Sequence, residues 1–215
     1  RRESNRISHV IVENKSGRSA LACGIVVDAT GDADVCFLAG EETQSLNNNV
    51  LAGWFYHVLA DGLHLNMLSN FFSPDETMMA SQAPLFRGDD AEDVTAHIVG
   101  TRDLIRRRLA EIRAENPRDD AQVILLPSIA CFRMTRRLVG AFSLGERHCH
   151  QWFDDAVGLT GDWRKPGPVY AIPWRALCGV RNCNLLAAGR CVSADTTIWD
   201  ATRAIPACAL TGAAA

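Results

Sequence analysis

The chain has 215 residues, enough for one large domain or somewhat more. With 47% apolar and 22% charged residues it has the profile of a folded soluble protein, which excludes disorder as the main state. A net charge of −3 offers no basic field for nucleic acid, and no apolar run approaches the roughly 20 residues that span a bilayer.

Residues 6–28 read as a hairpin, with Ile7, Val10 and Val12 in one strand, a turn at Asn14-Lys15-Ser16-Gly17, and Leu21 and Cys23 in the other. The run Gly24-Ile25-Val26-Val27 is apolar throughout, which predicts a strand covered on both faces. It stops at Asp28-Ala29-Thr30-Gly31-Asp32, and a short helical patch follows to Gly40. Between 50 and 72, Trp54, Tyr56 and Val58 alternate with Phe55 and His57, predicting a strand, a turn at Asp61-Gly62 and a second strand from Leu63. Residues 73–92 carry Pro74, Pro84, Gly88 and several acids and read as an irregular connection.

The clearest helix spans 93–115, with Ile98, Ile105, Leu109 and Ile112 as its apolar stripe, Asp93 as N-cap and Pro117 as its stop. Arg106, Arg107 and Arg108 interleave with Glu111 and Glu115 as a solvated face. Val123–Leu126 and Ile129–Leu138 predict strands broken by Pro127. Residues 146–158 predict a short helix whose apolar face is Trp152, Ala156 and Val157. Tyr170–Pro173 reads as an edge-like strand, Asn184–Gly189 as a second buried strand, and Ile198 onward as one closing helix. The ends, Arg1-Arg2-Glu3 without Met and an uncapped Thr211–Ala215, read as cuts from something longer.

Eight cysteines, at 23, 36, 131, 149, 178, 183, 191 and 208, sit mostly in apolar segments. They read as small buried side chains in a reducing cytoplasm. His148-Cys149-His150 gathers three metal-capable side chains, but only Cys178 and Cys183 have a ligand-like spacing and no second pair accompanies them. No metal is therefore expected, and a Cys178–Cys183 redox disulfide lacks the C-x-x-C spacing.

Two segments share one form, an apolar strand running into a glycine-bearing break: Ile25–Asp32 and Leu185–Arg190. In open α/β sheets ligands bind beyond the carboxyl ends of strands, where small residues let a cofactor approach the backbone. Two plain tight turns would read the same way.

Val27-Asp28-Ala29-Thr30-Gly31-Asp32-Ala33-Asp34-Val35 resembles the "DATGDAD" segment of the FAD-dependent oxidoreductases, within the group built like glutathione reductase and the fumarate reductase flavoprotein. Arg133–Gly140 is similar to that family's "R-x-T-R-R-x-x-G" stretch, and Tyr170–Leu177 to its "Y-x-I-P-Y-R-x-L" segment. Asn184–Ala194 is similar to "N-L-L-V-A-G-R-x-x-S-A", and Arg203 with Pro206 to the closing "R-x-x-P". The resemblance implies FAD as cofactor, bound by Ala29, Thr30, Gly31 and Asp32 on one side. On the other it implies Gly189, Arg190, Ser193, Arg203, Pro206 and Ala207, with the first turn of the last helix offering free N–H groups to the flavin. Arg190 and Arg203 read equally well as structural ion-pair partners.

No G-x-G-x-x-G occurs in the chain, although the family carries that pyrophosphate-binding motif near its N-terminus. The expectation is a carboxyl-terminal part of a flavoprotein, its FAD site completed by an upstream segment or a second chain. For proton handling and substrate recognition the candidates are Arg136, His57 and Tyr170. Arg136 is first choice for gripping a carboxylate, with pairing to Asp154 or Asp155 as the plainer alternative.

The expected fold is α/β, α+β overall: an incomplete FAD-binding Rossmann-like domain from 1–40 and 184–215, with residues 41–183 inserted as a mixed strand and helix cap. The expected activity is hydride transfer between flavin and a small organic substrate, in the cytoplasm, without nucleic-acid or membrane partners. An inactive flavoprotein remnant serving as a structural or interaction module is the alternative.

Overall fold

The computed structural model describes residues 2–69, 72–73, 75–79 and 84–215; Pro74 of the irregular connection lies outside them. The first strands are β1 (Arg2–Glu3), β2 (Arg6–Ile7), β3 (His9–Asn14), β4 (Gly17–Ala22) and β5 (Val26–Asp28), followed by helix α1 (Asp34–Leu38) and β6 (Thr43–Ser45). Then come β7 (Ala52–Leu59), β8 (Gly62–Ser69), α2 (Glu76–Met79), α3 (Ala91–Glu115) and β9 (Gln122–Leu125). The remainder holds β10 (Arg136–Leu138), β11 (Ala156–Gly161), β12 (Val169–Pro173), β13 (Leu185–Ala187), α4 (Thr196–Thr202) and α5 (Ile205–Ala214). Several small sheets with helices make this an α+β arrangement. The chain divides into two compact units, one of residues up to Ser45 with Arg136–Ala215, the other Leu46–Thr135. Residues 136–183, which the sequence pattern assigns to the insert, thus belong by contact to the first unit.

In the first unit β3 and β4 form the expected hairpin, closed Asn14 to Gly17. β5 pairs in parallel with β13, Val26 opposite Leu185 and Asp28 opposite Ala187, although most of the sequence lies between them. Cys36, Leu138, Ala187 and Cys191 fill the core beneath this pair, with Ile7, Val26 and Leu185 around them. The apolar run before β5 is not covered on both faces: Ile25 is 66% and Val27 40% exposed.

Two helix expectations fail in this unit. Residues 146–158 hold only a single 3-10 turn, Glu146–His148, before β11 begins at Ala156. His150 takes a left-handed φ of 59°, which a continuing helix does not allow. The closing helix is two helices, α4 and α5, separated by Arg203 and an extended Ala204. Pro206 explains the break: in one continuous helix it would have no N–H to give to Thr202 O, and its ring would clash with that carbonyl.

The second unit is an antiparallel sheet, ordered β8-β7-β9, with α3 packed on one face. Phe55 meets Ile105, Ile112 and Ala121, and Leu59, Leu68, Leu109 and Val123 close around them. The helix starts two residues early because its cap is Asp90, whose carboxylate accepts from Glu92 N and Asp93 N at 3.0 Å each. Asp93, the expected cap, accepts instead from Arg87 N at 2.7 Å. The buried stripe is also rotated: His97 and Thr101 are buried with Ile105 and Ile112, while Ile98 is 40% exposed. Residues 129–135 do not form the expected strand. The buried Asn49 side chain takes Arg133 N at 3.0 Å and gives to Met134 O at 2.9 Å, using backbone groups a strand partner would need.

Candidate functional site

The loop after β5 is built on one buried acid. Asp28 accepts from Thr30 N at 3.1 Å and Thr30 Oγ1 at 2.7 Å, and its other oxygen accepts from Cys36 N at 2.8 Å. The carboxylate thereby folds the Thr30 turn back and fixes the start of α1. Gly31 sits at φ +86°, and a Cβ there would meet the Arg190 guanidinium at 2.9 Å. The positive φ is what favours glycine here, since the guanidinium is the far end of a flexible side chain and could move aside.

The loop after β13 reaches the same place, because parallel pairing sets the two strand ends side by side. Arg190 Nε donates to Gly31 O at 2.5 Å and Nη2 to Asp32 Oδ1 at 2.9 Å, bridging the two loops. Gly189, at φ +71°, donates its N–H to Thr211 Oγ1 of α5 at 2.9 Å. Trp199 Nε1 donates to Arg190 O at 2.7 Å, so α4 and α5 both brace the second loop. Ala29 and Thr30 are exposed, and Gly31, Asp32, Gly189 and Arg190 half-buried.

Below the loops, burial and the Asp28 charge push the Cys191 thiol up to about 11, and the same two causes raise Cys36. Both stay protonated and act as packing. Glu41, just past α1, accepts from Val180 N, Arg181 N and Asn182 N, in the segment leading into β13, as well as from Asn182 Nδ2. Burial opposes its ionisation, but these bonds, the Arg181 N–H foremost, hold the carboxyl below its usual range.

The other expected residues fall as follows. Ser193 is buried, its hydroxyl shared between Gly140 N at 3.0 Å and Ser143 Oγ at 2.8 Å. Arg203 pairs with Asp200 at 2.6 Å and covers the Trp163 ring. Exposed Pro206 and buried Ala207 start α5. Arg136 pairs with Asp34, not with Asp154 or Asp155, gives Nε to Asp32 O at 3.0 Å and stacks on Phe37. Asp155 belongs to Arg175 instead. Tyr170 is 1% exposed inside the β11–β12 pair, its phenol pushed up to about 12 by burial and by Cys149.

His57 lies in the second unit, in a polar cleft of about 240 Å³ with His64, Asn66, Arg108 and Glu115. Asn66 Nδ2 donates to His57 Nδ1 at 2.8 Å, and the ring stacks on His64. Burial first, then His64 and Arg108, hold His57 below its usual range.

His148 packs against Phe142 and Phe153, and His150 Nε2 bonds to Gly167 O at 3.1 Å. Among the described residues no group of three His, Cys, Asp or Glu could hold a metal ion, and all eight cysteines are free thiols. No helix of the described residues is long and apolar enough to cross a membrane. Asp28 and Glu41 are the organising residues that sequence reasoning passed over. The only signal was position, one acid directly ending an apolar run and one just past Gly40.

A family model described as FAD dependent oxidoreductase matches residues 1–50 and 50–215. No curated protein and no solved structure matches the chain.

Proposed function

The chain belongs to the FAD-dependent oxidoreductases, and from that premise we propose that its paired strand ends form one side of the FAD site. The cofactor of the family is FAD. The residues at the strand ends fit such a group: small, exposed backbone at Ala29 and Thr30, and glycines of positive φ at 31 and 189 whose conformation most side chains would strain. In this reading Ala29 to Asp32 hold the pyrophosphate and ribityl side, and Gly189 and Arg190 face it from β13. Ser193 and Arg203 support that wall through Gly140 and Asp200. Pro206 offers no N–H, so Ile205 and Ala207 are the amides of α5 left to stabilise negative charge.

FAD bound there supplies hydride transfer, here to or from a small organic substrate. Arg136 and Tyr170, in the same unit as these strand ends, remain the proposed substrate-side groups. The pyrophosphate-binding glycine motif, which none of these 215 residues provides, is contributed by another segment or a second chain. The proposed architecture is a Rossmann-like part, incomplete within this chain, with an inserted cap.

One observation carries the reading: two segments far apart in sequence pair in parallel and end under a single bridging arginine. A second reading, a flavoprotein remnant without catalysis, is favoured by Arg136, Arg190 and Arg203 each already having a carboxylate partner. The two separate in the visible spectrum of the protein purified together with its glycine-motif segment. A bound flavin band that Gly189→Val diminishes, with the far-ultraviolet spectrum unchanged, supports the enzyme. Colourless protein that does not take up added FAD supports the remnant.

A further inference from the structure

Among the described residues of the second unit four buried side-chain polar atoms have no partner, on Asn48, His97, Arg102 and Thr135, and two of them, those of His97 and Arg102, belong to side chains lining one small cavity between α3 and the 127–131 segment. His97 is fully buried, wedged between the Phe86 and Phe132 rings. Its Nε2 lies 3.1 Å from Val50 O and must donate to it, which leaves Nδ1 as a bare acceptor, and Nδ1 has no partner. Burial holds the imidazole below its usual range, so it stays in this neutral form. Arg102 gives Nη2 to Pro127 O at 2.8 Å, while its buried Nη1 has no acceptor. Among the described residues Arg102 has no carboxylate partner, unlike Arg106 and Arg108 on the same helix.

A buried donor and a buried acceptor each cost free energy while unmade, and a half-buried guanidinium without a counter-ion costs more. A single ligand that satisfies both atoms meets three conditions. It carries negative charge for Arg102, presents a hydroxyl that can donate to His97, and fits its polar end into about 30 Å³, roughly the room of two water molecules. A fully deprotonated anion such as acetate fails the second condition and a simple alcohol the first. We propose that this cavity is a binding site for a small 2-hydroxy acid, the carboxylate taking the Arg102 N–H and the hydroxyl donating to His97 Nδ1. A 2-hydroxy acid carries its carboxylate and hydroxyl on neighbouring carbons, so one small polar end offers both groups. The Cys131 thiol on the rim is raised by burial and stays protonated, adding no competing charge. The site lies within the second unit and does not depend on the flavin reading.

The test is calorimetric titration of the whole protein with glycolate, acetate and ethylene glycol. Glycolate is expected to bind saturably, and acetate or ethylene glycol at least about tenfold more weakly, each lacking one of the two recognised groups. Arg102→Gln, at a half-exposed helix position, is expected to weaken glycolate by about tenfold or more while leaving the far-ultraviolet spectrum intact. His97→Phe, if it folds, is expected to erase the preference for glycolate over acetate. No saturable glycolate heat, equal affinity for acetate, or an unchanged Arg102→Gln variant would each overturn the proposal. So would a glycolate-soaked crystal with water alone between His97 and Arg102.

Discussion

The two units are held together by different means. The first is organised by buried acids, Asp28 and Glu41, which collect backbone N–H groups from loops that no sheet could satisfy. The second is a helix on a sheet, where apolar side chains do the holding, and its buried polar atoms at His97 and Arg102 are left open. A closed polar network spends its bonding capacity on shape, whereas an open one keeps capacity for something else. Asp28 and Glu41 are scaffolding, one for the ends of β5 and α1 and one for the segment before β13; Asn182 Oδ1 and Arg137 Nε in the first unit are open too, and what sets His97 with Arg102 apart is the cavity they share.

The strongest way to break this contrast is Asp28→Ala. It strips Thr30 N and the buried Cys36 N of their acceptor and is expected to cost about 4 kcal/mol in urea unfolding. Hydrogen exchange should then open β5, α1 and β13 while α3 keeps its protection. Loss of protection in α3 as well would erase the distinction between the units. Ile105→Ala is the counterpart, with about 3 kcal/mol expected from the cavity it leaves under β7. Ile98→Ala on the neighbouring helix face should change stability by less than about 1 kcal/mol, because that side chain is already 40% exposed.

Ile98 marks the limit of what periodicity could reveal. Its hydrophobicity placed it on the core face, and only the packed helix shows that His97 and Thr101 occupy the stripe with Ile105 and Ile112. The β3–β4 hairpin, the β7–β8 pair and the buried β13 were legible because local alternation and turn residues determine them. The failures share another cause. Residues 129–135 lost their strand to the Asn49 side chain, and the closing helix was divided by Pro206. The first of these competitors lies far from the segment it alters. At the strand ends, small residues and glycines gave the location, but the bridging by Arg190 and the bonding of Asp28 required the fold. Arg136 shows the same limit, since its partner Asp34 is distant in sequence and the nearer acids were the natural guess.

Glu41 sharpens the comparison through pH. Glu41→Ala is expected to cost about 2 kcal/mol near neutrality, since it leaves the N–H groups of 180–182 to water. Its carboxyl lies below the ordinary 4.5 in the folded protein, so the stabilisation is fully present above about that pH. It is lost as pH falls through the lower folded value. The difference between wild type and Glu41→Ala should therefore shrink on acidification below about 4.5, not grow. His148, which burial holds below 6.5, contributes equally to both proteins and cancels in that difference. A gap that is constant down to acid unfolding would mean that Glu41 acts through packing alone.

The smallest effect tests whether the second unit is free of acid scaffolding even at its helix terminus. Asp90 is the cap of α3, accepting two N–H groups at 3.0 Å, and Asp90→Ala should cost about 1 kcal/mol, as N-cap removal generally does. Asp93→Ala keeps both cap bonds and loses only the exposed link to Arg87 N, so it should cost less, about 0.5 kcal/mol. Both acids also favour the positive end of the helix dipole, which affects the two variants alike and leaves their ranking to the hydrogen bonds. Thermal melts of the two single variants decide the matter. If Asp93→Ala is the more damaging, the helix begins where its sequence periodicity alone would start it, and the Asp90 carboxylate is a surface group without structural weight.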